Sequence, residues 1–169
     1  MIARRIALVA ASIVVMSGSA FAQTASAEIK NAEGAAVGTA TLTQTAQGVL
    51  IKVSVQKLPA GDHALHLHAV GECVAPFTTA GGHFNPASKK HGMMSADGQH
   101  AGDMPNLHAP AGGEVQVEVL NTAVTLAKGQ PNSLLDTDGS AIVIHAQADD
   151  YKTDPTGDAG GRIACGVVK

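Results

Sequence analysis

The chain has eight histidines, all between residues 63 and 145, and they fall in groups. His66 and His68 stand two apart in a stretch suited to a strand, where that spacing puts both side chains on one face and Leu65, Leu67 and His63 on the other. Two imidazoles so placed form a two-pronged metal clamp. His83, His91, His100 and Asp103 lie within a single 21-residue segment, with Gly92, Gly98 and Gly102 between them. Three imidazole nitrogens and one carboxylate oxygen suit a tetrahedral zinc site, and glycines let a loop wrap closely around an ion. His145 ends the run Ala141, Ile142, Val143, Ile144 and is followed by Asp149, Asp150 and, later, Arg162. His66, His68 and His145 with one more histidine would give all-nitrogen, tetragonal coordination, which favours Cu(II) by ligand type and geometry.

These residues need elements to position them. Val49, Ile51, Val53 and Val55 alternate with Leu50, Lys52, Ser54 and Gln56; Val115, Val117 and Val119 alternate with Glu114, Gln116 and Glu118. That period of two predicts half-buried strands. Residues 37–44, 63–70, 123–126, 141–146 and 163–168 also suit strands, and Pro, Gly, Asn and Asp cluster between them, as at Pro59–Asp62, Asp136–Gly139 and Asp154–Gly157. Many short strands with turn signals and almost no helical pattern predict an all-β sandwich or barrel. Two long Gly-rich stretches, 71–113 and 147–161, interrupt the rhythm. Long loops of this kind in a compact domain usually carry function.

The whole chain sets bounds on that chemistry. Arg4 and Arg5, the apolar run 6–16 and the small-x-small sequence Ala20-Phe21-Ala22 read as a cleavable export signal over residues 1–22. The run is too short to serve comfortably as a membrane anchor, and no later stretch is apolar enough to cross a bilayer. The expected mature domain, 23–169, carries nine Lys and Arg against fourteen Asp and Glu, has no long basic run and no Trp, and is therefore a poor nucleic-acid binder. Its length suits one domain with a real core. In an exported chain the two cysteines, Cys73 and Cys165, read as a disulfide, for which chain entropy gives roughly 4–5 kcal/mol.

The blocks His66-Leu67-His68, Gly71-Glu72-Cys73, Ala80-Gly81-Gly82-His83-Phe84-Asn85-Pro86, His91-Gly92, His100-Ala101-Gly102-Asp103-Met104-Pro105-Asn106 and Gly160-Gly161-Arg162-Ile163-Ala164-Cys165-Gly166-Val167 resemble the copper/zinc superoxide dismutases, bacterial members above all. The resemblance covers most of the mature chain. It implies an all-β Greek-key fold, an eight-stranded flattened barrel of immunoglobulin-like sandwich type with two long functional loops. It implies one copper held by His66, His68, His83 and His145, and one zinc held by His83, His91, His100 and Asp103, with His83 shared. It further implies that Asp149 links His66 to His91, that Arg162 draws the substrate anion to copper, and that Cys73 pairs with Cys165. His63 matches a non-ligand position, and His108 reads as surface. The implied reaction converts superoxide to oxygen and hydrogen peroxide by alternate reduction and oxidation of copper, with His83 taking a proton when its copper side is freed. The implied setting is the periplasm, as a monomer or homodimer with no membrane attachment after signal cleavage, where the enzyme would protect the cell envelope.

Three features depart from that pattern. Leu65 stands where the family commonly has Phe. The segment between His145 and Arg162 is short and carries only Lys152 as a cation, so anion steering is expected to rest on Arg162 with help from Lys152 or from Lys89 and Lys90. Met93 and Met94 within the zinc loop are expected to fill gaps rather than to bind Cu(I). Two alternatives are a non-enzymatic metal buffer or delivery module, which would normally lack a copper ligand or the arginine, and a copper-only dismutase, which would lack zinc-side ligands. The sequence retains all of these residues.

Overall fold

Alternation of small or β-branched apolar residues with polar ones builds the strands. In the computed structural model, which describes residues 22–169, β1 (Thr24–Asn31) buries Ala25, Ala27 and Ile29 and exposes the residues between them. β2 (Ala36–Thr45) buries Val37, Ala40 and Leu42, and β3 (Gly48–Val55) buries every second residue from Val49 to Val55. The remaining strands are β4 (Gly61–His63), β5 (Leu65–His68), β6 (Leu107–Ala109), β7 (Val115–Asn121), β8 (Ala141–His145) and β9 (Arg162–Val167). A single 3-10 turn, Thr78–Ala80, is the helical content of the described residues, and none of their helices is long and apolar enough to cross a membrane. The export segment expected over residues 1–22 lies outside the described residues except for Ala22.

Seven strands form one antiparallel sheet in the order β5-β8-β9-β1-β2-β3-β7, and β4 pairs with β6. The chain runs from β4 through Ala64 into β5, and from β6 through a turn into β7. The small pair therefore joins the two edges of the large sheet and curls it into a flattened barrel. After β7 the chain crosses to the far side and enters as β8 between β5 and β9, a Greek-key connection. The all-β Greek-key fold is the one expected from the sequence.

The barrel interior decides where the histidines go. Leu65 and Leu67 of β5 pair with Ile144 and Ile142 of β8, and all four are fully buried in the main core. His66 and His68 must then point to the outer face, where their cross-strand neighbours are Val143 and Ala141. A second apolar cluster, Phe77, Ala80, Ala141, Val143 and Cys165, covers that outer face beneath the loop following β5. Hence all four residues of β5 are buried, two by the barrel core and two by loops.

The register of β9 carries one irregularity with a consequence. Ile144 lies opposite Ala164, but His145 lies opposite Arg162. The extra residue, Ile163, packs against the main core, and Arg162 is delivered to the side of His145, the re-aiming that a β-bulge provides.

The details differ from the sequence reading in four places. β6 lies inside the stretch 71–113 expected as a long loop, where it pairs with β4. β1 was not anticipated, because Ala25 and Ala27 give only a weak apolar alternation. The stretch 63–70 is broken at Ala64, whose N–H donates to Gln147 O and whose carbonyl accepts from His145 N–H. Residues 123–126 do not form a strand; they make one isolated bridge, Thr125 with Ser133. The Gln44 side chain replaces a neighbouring strand there, its Oε1 accepting from Leu126 N–H at 2.7 Å and from the Thr125 hydroxyl at 2.8 Å.

The open edge of β5 is covered by the His-rich loop itself. Leu67 N–H donates to Gly102 O, Phe84 N–H to Leu67 O, and Gly102 N–H to Phe84 O, at 2.8–2.9 Å. A Cβ on Gly102 would collide with Leu67 O. Gly102→Ala is therefore expected to cost about 2 kcal/mol or more of stability and to weaken zinc retention. Chemical denaturation and metal analysis check this; an unchanged unfolding midpoint would contradict it.

Candidate metal centre

The stitching of residues 84 and 102 to β5 brings the two histidine groups into contact. His66 faces Asp103 and His68 faces His83 in isolated bridges. His145 arrives on β8, beside β5 in the sheet. The structure thereby gathers His66, His68, His83 and His145 into one buried cluster, and His83, His91, His100 and Asp103 into a second, each with one ligand-type atom per residue lying within 4.8 Å of the others. His83 belongs to both.

In most of these rings one nitrogen is engaged by the protein and the other is left facing inward. His66 Nε2 bonds to Asp149 Oδ2 at 2.7 Å, which leaves Nδ1. His68 Nδ1 lies 2.9 Å from Gly81 O, and its Nε2 is 3.4 Å from His145 Nε2. His145 Nδ1 lies 3.4 Å from Gly160 O. His66 Nδ1 and His83 Nε2 are buried without any hydrogen-bond partner, a condition that costs about 1–3 kcal/mol per group unless something meets it. On the other side, His83 Nδ1 and His91 Nδ1 lie 3.0 and 3.1 Å from Asp103 Oδ1, and His100 Nδ1 is 3.3 Å from His83 Nδ1. Asp103 Oδ2 accepts from the N–H groups of Gly92 and His100 at 2.9 and 3.0 Å, which turns Oδ1 into the cluster. Four imidazole nitrogens converge on one side of the His83 ring, and three with a carboxylate oxygen on the other. Both donor sets fit metal ions, the first by its unpartnered buried nitrogens and the second by its N3O composition.

Asp149 ties the two clusters through their far sides. Its Oδ2 meets His66 Nε2, and its Oδ1 meets His91 Nε2 at 3.0 Å and accepts from Tyr151 N–H at 2.6 Å. Gly157 packs directly on this bridge, and with φ +67° and no room for a Cβ against Asp149 Oδ1, only glycine fits.

Burial dominates the electrostatics. It pushes His68 down to about 2 and His145 down to about 3 from the usual 6.5, and it lowers His66 and His100 as well. Burial alone would raise the two carboxyls. Hydrogen bonds from His83 and Gly92 N–H instead hold Asp103 below its usual range, and those from His66 and His91 do so for Asp149. Burial thus favours neutral His66, His68, His100 and His145, and the hydrogen bonds favour charged Asp103 and Asp149, the forms a metal requires.

A cavity of about 440 Å³ opens onto this centre, lined by His83, His100, His145, Thr156, Asn85 and Arg162 among others. Arg162 is the one cation in its lining. Its Nη1 and Nη2 donate to Phe77 O and Gly81 O at 2.6 Å each. The loop carrying those carbonyls is fastened to β9 by the disulfide Cys73–Cys165, with Cα atoms 5.7 Å apart.

The lysines considered for anion steering do not line the cavity. Lys90 pairs with Asp154 at 3.2 Å. Met93 and Met94 are 41% and 73% exposed, so they fill no gap; the expectation that they do is corrected by their place on the outer surface of the loop. His63 is buried, its ring nitrogens each 2.8 Å from a carbonyl, of His145 and Pro59. His108 is exposed, 2.7 Å from Asp62. Asn106 stands in the block His100–Asn106 that carries the family resemblance, but the sequence assigns it no role: its side chain bonds the Asp149 main chain, and an Asn after Pro carries no local signal of a distant partner.

The family model described as copper/zinc superoxide dismutase (SODC) matches residues 36–168. The chain belongs to the copper/zinc superoxide dismutase family. It is similar to the Cu-Zn superoxide dismutase 2 of Aquifex aeolicus, 50% identical over 166 residues that cover 96% of each chain. The Cu-Zn superoxide dismutase of Caulobacter vibrioides is 44% identical over 149 residues, 86% of this chain and 85% of that one. Among solved structures, a superoxide dismutase-like protein from Bacillus subtilis superposes with a TM-score of 0.81 at 41% identity, covering 84% of this chain and 96% of that chain. Membership of the copper/zinc superoxide dismutase family makes this chain an oxidoreductase acting on superoxide, with one copper and one zinc per chain.

The depressed histidines set the acid stability of the metal-free protein. Below pH 6.5 the unfolded chain takes up protons on His68 and His145 while the native state does not, so stability falls as pH drops toward about 3. Each ring contributes about 1.4 kcal/mol per pH unit inside that window. Asp103 and Asp149 act in the same direction below the ordinary carboxylate range. Urea denaturation of the metal-free protein between pH 7 and pH 4 is expected to show this steep loss; a flat profile would contradict it.

Proposed function

We propose that copper is held by His66 Nδ1, His68 Nε2, His145 Nε2 and His83 Nε2, and that zinc is held by His83 Nδ1, His91 Nδ1, His100 Nδ1 and Asp103 Oδ1. The observation that carries this reading is the His83 ring, buried between the clusters with Nδ1 on the Asp103 side and Nε2 without a protein partner. When bound, copper supplies the alternating one-electron reduction and oxidation by which one superoxide becomes oxygen and the next becomes hydrogen peroxide, while zinc contributes charge and geometry without redox chemistry.

The chain's own residues do the rest. Arg162, permanently cationic and held by two loop carbonyls, keeps a small anion at the mouth of the site. His83 Nε2 holds a proton whenever it is not engaged on the copper side, and can give it to the forming peroxide. Asp149 fixes the orientations of His66 and His91 through their Nε2 atoms. Arg162 is the cation that lines the cavity, which supports giving it the main part in anion guidance, with Lys152 or Lys89 and Lys90 adding to the field from outside the lining.

The setting proposed is the periplasm, reached by removal of residues 1–22 as an export signal, where the mature domain 23–169 protects the cell envelope from superoxide. The basic start, the apolar run and Ala20-Phe21-Ala22 support export, as does a disulfide, which persists in oxidising compartments.

Purified mature protein should bind one copper and one zinc and consume superoxide; full copper occupancy without superoxide consumption would sink the reading and favour a metal buffer on the same scaffold. His145→Ala is expected to abolish activity. Arg162→Ala is expected to lower the second-order rate by about tenfold or more and to flatten its dependence on ionic strength, measured by pulse-generated superoxide decay across a salt series.

A further inference from the structure

Asn106 lies three residues beyond Asp103, just before β6, and its side-chain amide faces the main chain of Asp149 with both ends. Oδ1 accepts from Asp149 N–H at 2.8 Å, and Nδ2 donates to Asp149 O at 2.9 Å. Asn106 also donates its own main-chain N–H to the Tyr151 hydroxyl at 2.8 Å, and Tyr151 in turn donates its N–H to Asp149 Oδ1. Three contacts from one residue therefore converge on the segment that carries the Asp149 carboxylate.

We infer that Asn106 is a positioning residue for both metals: by clamping the Asp149 main chain in two directions, it sets where the carboxylate meets His66 and His91, and so how those two rings aim their Nδ1 atoms. This rests on the paired-metal reading given above. The physical case is short. Only one methylene separates the Asp149 main chain from its carboxylate, so a shift of the main chain moves the carboxylate almost as far. Bonds of 2.7 and 3.0 Å to two rings at once leave little room for such a shift. A single side-chain amide can donate and accept together, which a carboxylate cannot. Asn106→Asp keeps the acceptor for Asp149 N–H but sets an anion against Asp149 O. Gln offers the same groups one methylene too far out. The clamp also spans elements: it joins the end of the loop that supplies Asp103 to the loop that supplies Asp149, so the zinc side and the far edge of the copper side share one fixed point.

The test uses the mature protein loaded with copper and zinc, as wild type, Asn106→Asp, Asn106→Ala and Tyr151→Phe. Zinc affinity is measured by chelator competition, and the copper environment by Cu(II) electron paramagnetic resonance and visible absorption. Both Asn106 variants are expected to lose about 10–100-fold in zinc affinity and to shift the copper spectrum, although Asn106 touches neither cluster. Tyr151→Phe removes only the acceptor for the Asn106 N–H and is expected to show a smaller shift of the same kind, which keeps the inference testable if the Asn106 variants do not fold. Copper spectra superimposable on wild type, with zinc affinity within twofold, would overturn the inference even if thermal stability dropped, since Asn106 would then be a loop staple alone. A wild-type protein that fails to take up both metals would overturn the paired-metal reading, and this inference with it.

Discussion

A buried imidazole has two nitrogens, and each must be met by something. In this protein His66, His68, His91 and His145 have one nitrogen met by a carboxylate or a carbonyl: Asp149 for His66 and His91, Gly81 O for His68, Gly160 O for His145. The opposite nitrogens are thereby forced inward, where no protein atom meets His66 Nδ1 or His83 Nε2. His83 differs in offering a nitrogen to each cluster, and the two clusters share it. Much of the architecture serves this requirement. The barrel core claims Leu65 and Leu67 and so sends His66 and His68 outward, and the loops that cover them supply the carbonyls, the carboxylates and the remaining rings.

The barrel's regularity and the site's irregularity thus have separate origins. Alternation along the strands needs only apolar residues at every second position. The site needs departures from that rule: a bulge at Ile163 that brings Arg162 beside His145, a break at Ala64, and glycines where the chain passes within contact distance of β5 or of Asp149. These departures are held by hydrogen bonds between segments distant in sequence, such as Phe84 and Gly102 against Leu67.

That division explains what could be read from the sequence. The histidine groups, the spacing of His66 and His68 and the alternating strands β3 and β7 are local patterns, and the structure shows them where the pattern put them. β1 was missed because alanine gives little apolar contrast. The strand expected at 123–126 has the right composition, but side chains meet its Leu126 backbone groups, Gln44 Oε1 the N–H and Gln23 Nε2 the carbonyl, where a neighbouring strand would have done so. Met93 and Met94 are apolar by type yet lie at the surface, since the loop turns its glycines and histidines inward. The Asn106 clamp could not be read at all, because its meaning depends on Asp149, 43 residues away.

The disulfide has a bearing beyond the stability of the fold. Cys165 sits on β9 three residues after Arg162, and Cys73 anchors the loop whose Phe77 and Gly81 carbonyls grip the guanidinium. The sulfur pair thus ties the strand that carries the arginine to the loop that grips its guanidinium. None of the metal-facing side chains touches this tie, so it constrains the approach to the centre and not the donor set. The metals would bear on the rings and the disulfide bears on the approach to them, so two kinds of bond secure different parts of one centre.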